Sequence, residues 1–79
     1  PLDELWDRLL RKFAGQTLEM KEIYEQHNVG TRYIKKNYKT ALIQLEEAGK
    51  IKADPPMEQR RKGTFADNVT VIFPRRRGK

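Results

Sequence analysis

The tripeptide Asn28-Val29-Gly30 cuts a helical pattern in two and leaves a long helix signal behind it, and this spacing narrows the possible folds more than any other feature of the chain. Upstream, Met20 and Ile23, with Tyr24 or His27, turn one side of a short helix over 19–27 inward. Downstream, residues 31–48 place Ile34, Tyr38, Ala41, Leu42, Leu45 and Ala48 in one stripe when 100° is advanced per residue. Gly30 takes positive φ without steric cost, Thr31 is the expected N-cap, and Gly49 ends the helix. Two helices joined by a three-residue turn holding Gly form the helix-turn-helix pattern.

The flanks extend that reading. Leu2, Leu5, Trp6, Leu9, Leu10 and Phe13 follow one face of a first helix, with Asp3 and Glu4 in its first turn, Arg11 and Lys12 in its last, and Gly15 after it. Gln16, Thr17 and Leu18 leave room only for a short extended bridge. Beyond Gly49, Lys50 to Ala53 alternate, and Val69, Val71 and Phe73 alternate within a β-rich run. A loop of about fifteen residues opening on Pro55 and Pro56 joins these two strands into a hairpin. The expected fold is α+β: a small winged helix-turn-helix of three helices and a C-terminal β-hairpin wing. Residues 1–74 form the domain and 75–79 a basic flexible tail.

Composition bounds what such a domain does. Seventy-nine residues bury only roughly 60–65% of the unfolded surface, too little for a large enzyme cleft. There is no Cys, which excludes disulfides, thiol chemistry and Cys-ligated metals and leans the expected location toward the cytoplasm. No apolar run reaches the roughly 18 residues of a membrane span. A start at Pro1 rather than Met is read as a piece of a longer polypeptide. The formal net charge is +6, and Arg75, Arg76, Arg77 and Lys79 supply four of it. Residues 1–30 hold four basic and six acidic side chains, while 31–79 hold thirteen and five. A polarity of this kind points to one charged face.

That face is expected on the long helix, where Arg32, Lys36 and Lys39 lie opposite the apolar stripe, Lys35 lies on its flank, and Thr31, Tyr33 and Asn37 are polar neighbours. No acid occurs from Thr31 to Lys39. The N-terminal part of the second helix of a helix-turn-helix enters the DNA major groove, where Lys and Arg meet phosphates and guanine edges. Arg60, Arg61 and Lys62, followed by Gly63, sit where a wing tip reaches the flanking backbone. The expected partner is double-stranded DNA, and the expected binding residues are Thr31, Arg32, Tyr33, Lys35, Lys36, Lys39, Arg60, Arg61 and Lys62. Each of these is equally an ordinary solvated side chain if no ligand meets it.

Other features carry less. Trp6 fits packing better than base stacking. The sole histidine, His27, lacks partners for a metal site or a catalytic pair and fits a cap or the surface. Ile43 falls almost opposite the core stripe and marks where the wing, the first helix or a partner covers the long helix. No phosphate loop, HExxH or nucleophile elbow occurs, so no catalysis, metal, cofactor or small-molecule substrate is expected. The rival reading is a protein-interaction winged helix docking on its parent enzyme or a partner through Ile43 and the hairpin, and acids interspersed on the cationic face would favour it. RNA is a third possibility.

Val29-Gly30-Thr31, Lys35-Lys36-Asn37-Tyr38, Leu45-Glu46-Glu47-Ala48-Gly49-Lys50-Ile51 and Arg61-Lys62-Gly63-Thr64-Phe65-Ala66-Asp67 together resemble the C-terminal region of the three-Cys-motif partner proteins. The resemblance implies a terminal winged-helix module joined to a larger N-terminal part in a bacterial or phage-related protein. The cysteines of that name belong to the partner, and no catalytic residue is carried over.

Overall fold

A computed structural model describes residues 2–75. The elements follow one another as α1 (Asp3–Lys12), β1 (Thr17–Glu19), α2 (Met20–His27), α3 (Lys35–Glu47), β2 (Lys52–Asp54), a 3-10 turn (Met57–Gln59) and β3 (Thr70–Ile72). The expected three helices and C-terminal hairpin are present. The bridge after α1 is, however, a third strand: β3 lies between β1 and β2 and pairs antiparallel with both.

Register explains the alternation in the sequence. Leu18, Val71 and Ala53 align across the three strands and are all buried, whereas the flanking rows Thr17–Ile72–Lys52 and Glu19–Thr70–Asp54 lie on the other face. Thr17 and Leu18 alone carry too short a pattern to signal a strand. Their pairing is fixed by β3, and bonds from the Phe73 amide to the Gln16 carbonyl (2.9 Å) and from the Met20 amide to the Val69 carbonyl (3.0 Å) extend it.

The helices close over the inner face of the sheet. Leu5, Leu9 and Phe13 of the first segment, Met20 and Ile23 of α2, and Tyr38, Ala41, Leu42 and Leu45 of α3 meet Ile51, Phe65, Val69 and Phe73 in one core. Phe13 and Phe73 stack tilted at 5.5 Å between centroids. Trp6 packs half-buried against the core, and its indole N–H donates to Gln44 Oε1 at 2.9 Å, tying α1 to α3. The end of α3 is a Schellman turn: Lys50 N–H reaches the Leu45 carbonyl, Gly49 N–H reaches that of Glu46, and Gly49 has φ +75°.

The start of α3 differs from expectation. Thr31 is not its N-cap, because residues 31–34 are not helical and the cap position is Ile34, with ψ 168°. Thr31 spends its hydroxyl on the turn, donating to the Asn28 carbonyl at 3.0 Å and accepting the Tyr33 amide at 3.3 Å. Asn37 fixes the true start by accepting the Ile34 amide at 2.9 Å. Since Ile34 is extended, it leaves the helical stripe, and its side chain is 59% exposed rather than in the core. Ala48, past the last helical residue, is exposed as well.

Candidate functional site

The face of α3 that carries Lys35, Lys39, Ile43 and Glu46 does not stand free. The connection from β2 to β3 folds back along it. Arg60 is the clearest case: its guanidinium meets the Glu46 carboxylate at two points, Nη2 to Oε1 at 2.7 Å and Nη1 to Oε2 at 3.2 Å. It also donates to the Pro55 carbonyl at 2.8 Å and lies 4.7 Å from the Phe65 ring centre. Both charged side chains are nearly buried, at 7% and 8% exposure. Arg60 is therefore a corner post of the wing and leaves the set of exposed cations. Its sequence neighbours Arg61 and Lys62 are exposed around a turn closed by the Thr64 amide on the Arg61 carbonyl, with Gly63 at φ +78°.

Asp67 enters the cationic face from the turn that precedes β3. Its carboxylate sits between Lys35 Nζ at 3.0 Å and Lys39 Nζ at 3.2 Å. The Lys35 contact is a hydrogen bond, whereas Oδ1 faces Lys39 as an ion contact without an aligned donor. The hydrogen bond from Lys35, with the Lys39 ammonium beside it, holds the Asp67 carboxyl below the ordinary carboxylate range. Its backbone is anchored too, for the Lys21 amide at the start of α2 donates to the Asp67 carbonyl at 3.0 Å. Lys35 is further pinned 5.5 Å from the Tyr24 ring centre. No local pattern in the sequence could announce this residue, because its partner Lys35 lies 32 positions away and Lys39 lies on the same distant helix.

Beyond these pairs, the expected cations divide between two sides. Arg32 and Tyr33 border a recess with Gly30, Thr31 and, from α1, Glu4 and Arg8. Lys36, Lys39, Thr40 and Ile43 face residues 63–66 across a groove, which Arg61, Lys62, Met57 and Glu47 continue. Ile43 is half-buried and packs against the core at the floor of that groove, so the wing loop supplies part of its cover. Among the described residues, Arg32, Lys36, Arg61 and Lys62 take part in no ion pair.

Under the turn lies a polar knot in an aromatic cluster. Tyr38 is fully buried, with Tyr24 and Tyr33 edge-on to its ring at 5.3 and 6.1 Å, and its hydroxyl is 2.7 Å from His27 Nδ1. Burial, reinforced by Arg8 and Lys12, lowers the His27 pKa, while burial raises that of Tyr38. The Tyr38 hydroxyl and His27 Nδ1 share this hydrogen bond, and Thr31 Oγ1 stands 3.5 Å from the same hydroxyl. His27 is thus half-buried and engaged with Tyr38 at the end of α2 rather than free on the surface. Tyr33 is half-buried in the same cluster, so much of its surface goes to packing.

Arg75 borders a shallow cleft with Asp7, Arg11, Lys50 and Pro74. Arg76, Arg77 and Lys79 of the expected tail lie outside the described residues. Among those residues no helix is long and apolar enough to cross a membrane, and no cluster of three or more His, Cys, Asp or Glu is placed to hold a metal ion.

Helix, strand, helix, turn, helix and hairpin in this order, with the hairpin loop beside the third helix, define a winged helix-turn-helix. Residues 1–58 match the family described as GMT-like wHTH domain, and the chain belongs to that family. The match is to the winged helix itself. No curated protein and no solved structure matches the chain.

Proposed function

We propose that this winged helix binds double-stranded DNA through the start of α3 and the wing tip. The observation that carries the reading is the set of exposed cations without acidic partners on these two elements: Arg32 and Lys36 around the helix start, Arg61 and Lys62 on the loop. Winged-helix and other helix-turn-helix modules present these positions to a duplex, where Lys and Arg neutralise phosphates and release counterions. Lys35 and Lys39 lie on the same surface, half-neutralised by Asp67. Thr31 and Tyr33 shape the turn and Arg60 shapes the wing, so their part is to position the others.

The test is amide-shift mapping by NMR with a short duplex. Shifts concentrated in residues 31–40 and 61–64 support the reading, and shifts absent at low salt refute it. A protein-docking module is the second reading, favoured by Asp67, which brings an acid into the cationic face, and by the groove holding Ile43. As the finer family reading, we propose that the module is the C-terminal part of a three-Cys-motif partner-like protein, on the sequence runs that carry that resemblance.

A further inference from the structure

Ile34 is an exposed apolar residue, as Val29 of the turn is, and neither the core nor the electrostatic reading absorbs it. Exposing it is costly, and a chain whose α3 began one turn earlier would bury it in the stripe. Instead the Asn37 side chain holds the Ile34 amide at 2.9 Å and starts the helix at Lys35, leaving the isoleucine 59% exposed. Its sequence neighbours include the exposed cations Arg32 and Lys36. An apolar tip flanked by cations calls for a partner that is anionic around its edge and apolar at the point of contact.

Within duplex DNA that combination exists in the major groove, where the thymine C5-methyl lies between two phosphate backbones. We propose that Ile34 reads thymine: its side chain packs on thymine methyl groups while Arg32 and Lys36 engage the flanking phosphates. This rests on the DNA-binding reading and adds to it a base preference and a preference for DNA over RNA, since RNA carries uracil and a major groove too narrow for side chains.

The experiment compares the wild-type protein and Ile34→Ala on two duplexes of equal length, alternating A·T and alternating A·U with a deoxyribose backbone, by fluorescence anisotropy. Loss of one buried methyl corresponds to about fourfold in affinity. The wild type is expected to bind the thymine duplex about fourfold more tightly for each methyl met, and Ile34→Ala to bind both duplexes alike with its thermal midpoint preserved. Equal wild-type affinity for the two duplexes overturns the thymine contact while leaving DNA binding intact. A thymine preference that survives in Ile34→Ala assigns the methyl contact to another residue and equally overturns it. Absence of binding to either duplex overturns both readings.

Discussion

Arg60 and Glu46 close a buried two-point ion pair across the wing, 2.7 and 3.2 Å between their nitrogens and oxygens, with the Met57 amide as a third donor to the same carboxylate at 3.1 Å. The hairpin loop is thereby fixed to the last turns of α3 and is not a freely reaching arm. Removing one partner strands a charge in a site nearly closed to water, which costs more than the pair contributes when intact. Arg60→Ala is expected to destabilise the domain by about 3 kcal/mol, read as a lowered urea midpoint at unchanged m-value. The double change Arg60→Met with Glu46→Leu should cost less than either single change, because no charge is left alone. A loss below about 0.5 kcal/mol for Arg60→Ala, the range of ordinary surface substitutions, would contradict this role.

Asp67 occupies the space between Lys35 and Lys39 that a phosphate would claim under the proposed DNA-binding function. Asp67→Asn keeps the shape and removes the charge. Duplex affinity should rise, and the slope of log affinity against log salt should steepen by roughly 0.9 for each lysine that then meets a phosphate. An unchanged slope would show that both lysines face away from the duplex.

The burial of His27, with Arg8 and Lys12 nearby, gives the fold a pH dependence of definite sign. The folded pKa of His27 lies below its ordinary 6.5, so the unfolded chain takes up the proton first and stability falls as pH drops. The contribution is complete above pH 6.5 and is lost as pH descends through the folded value. His27→Gln should flatten this part of the stability profile, measured as urea midpoints between pH 7.5 and 5. A profile that keeps the wild-type slope would place the titration elsewhere.

Gly49 closes α3 at φ +75° with open space where a side chain would stand. The cost of Gly49→Ala is therefore conformational alone, about 1 kcal/mol, and calorimetry should show it without any change in duplex binding.

How much of this was legible in the residues follows the range of the interactions. Helix periodicity is local, so Leu5, Leu9, Met20, Ile23, Leu42 and Leu45 announced their burial. Strand β1 did not, since three residues carry no period and β3 defines the pairing from far along the chain. At the start of α3, Ile34 obeyed the stripe in spacing, yet the helix is capped three residues later than expected, at Ile34 itself with Asn37 holding its amide, and the isoleucine lies exposed. The cationic surface was legible in sign and incomplete in detail. Counting acids only from Thr31 to Lys39 left out Asp67, and reading Arg60 with Arg61 and Lys62 as one cluster overlooked Glu46, a partner on another element. Charge runs in sequence say which side chains are basic; only the fold says which already hold a carboxylate.

The most direct test of the central claim, that exposed cations of α3 and the wing tip grip a duplex, is an anisotropy titration across a series of salt concentrations. For the wild type, log affinity should fall linearly with log salt. The variant carrying Lys36→Glu and Arg61→Glu should bind more weakly, with a slope shallower by about 1.8, the share of two phosphate contacts. A variant that binds with wild-type affinity and slope would remove this surface from DNA recognition.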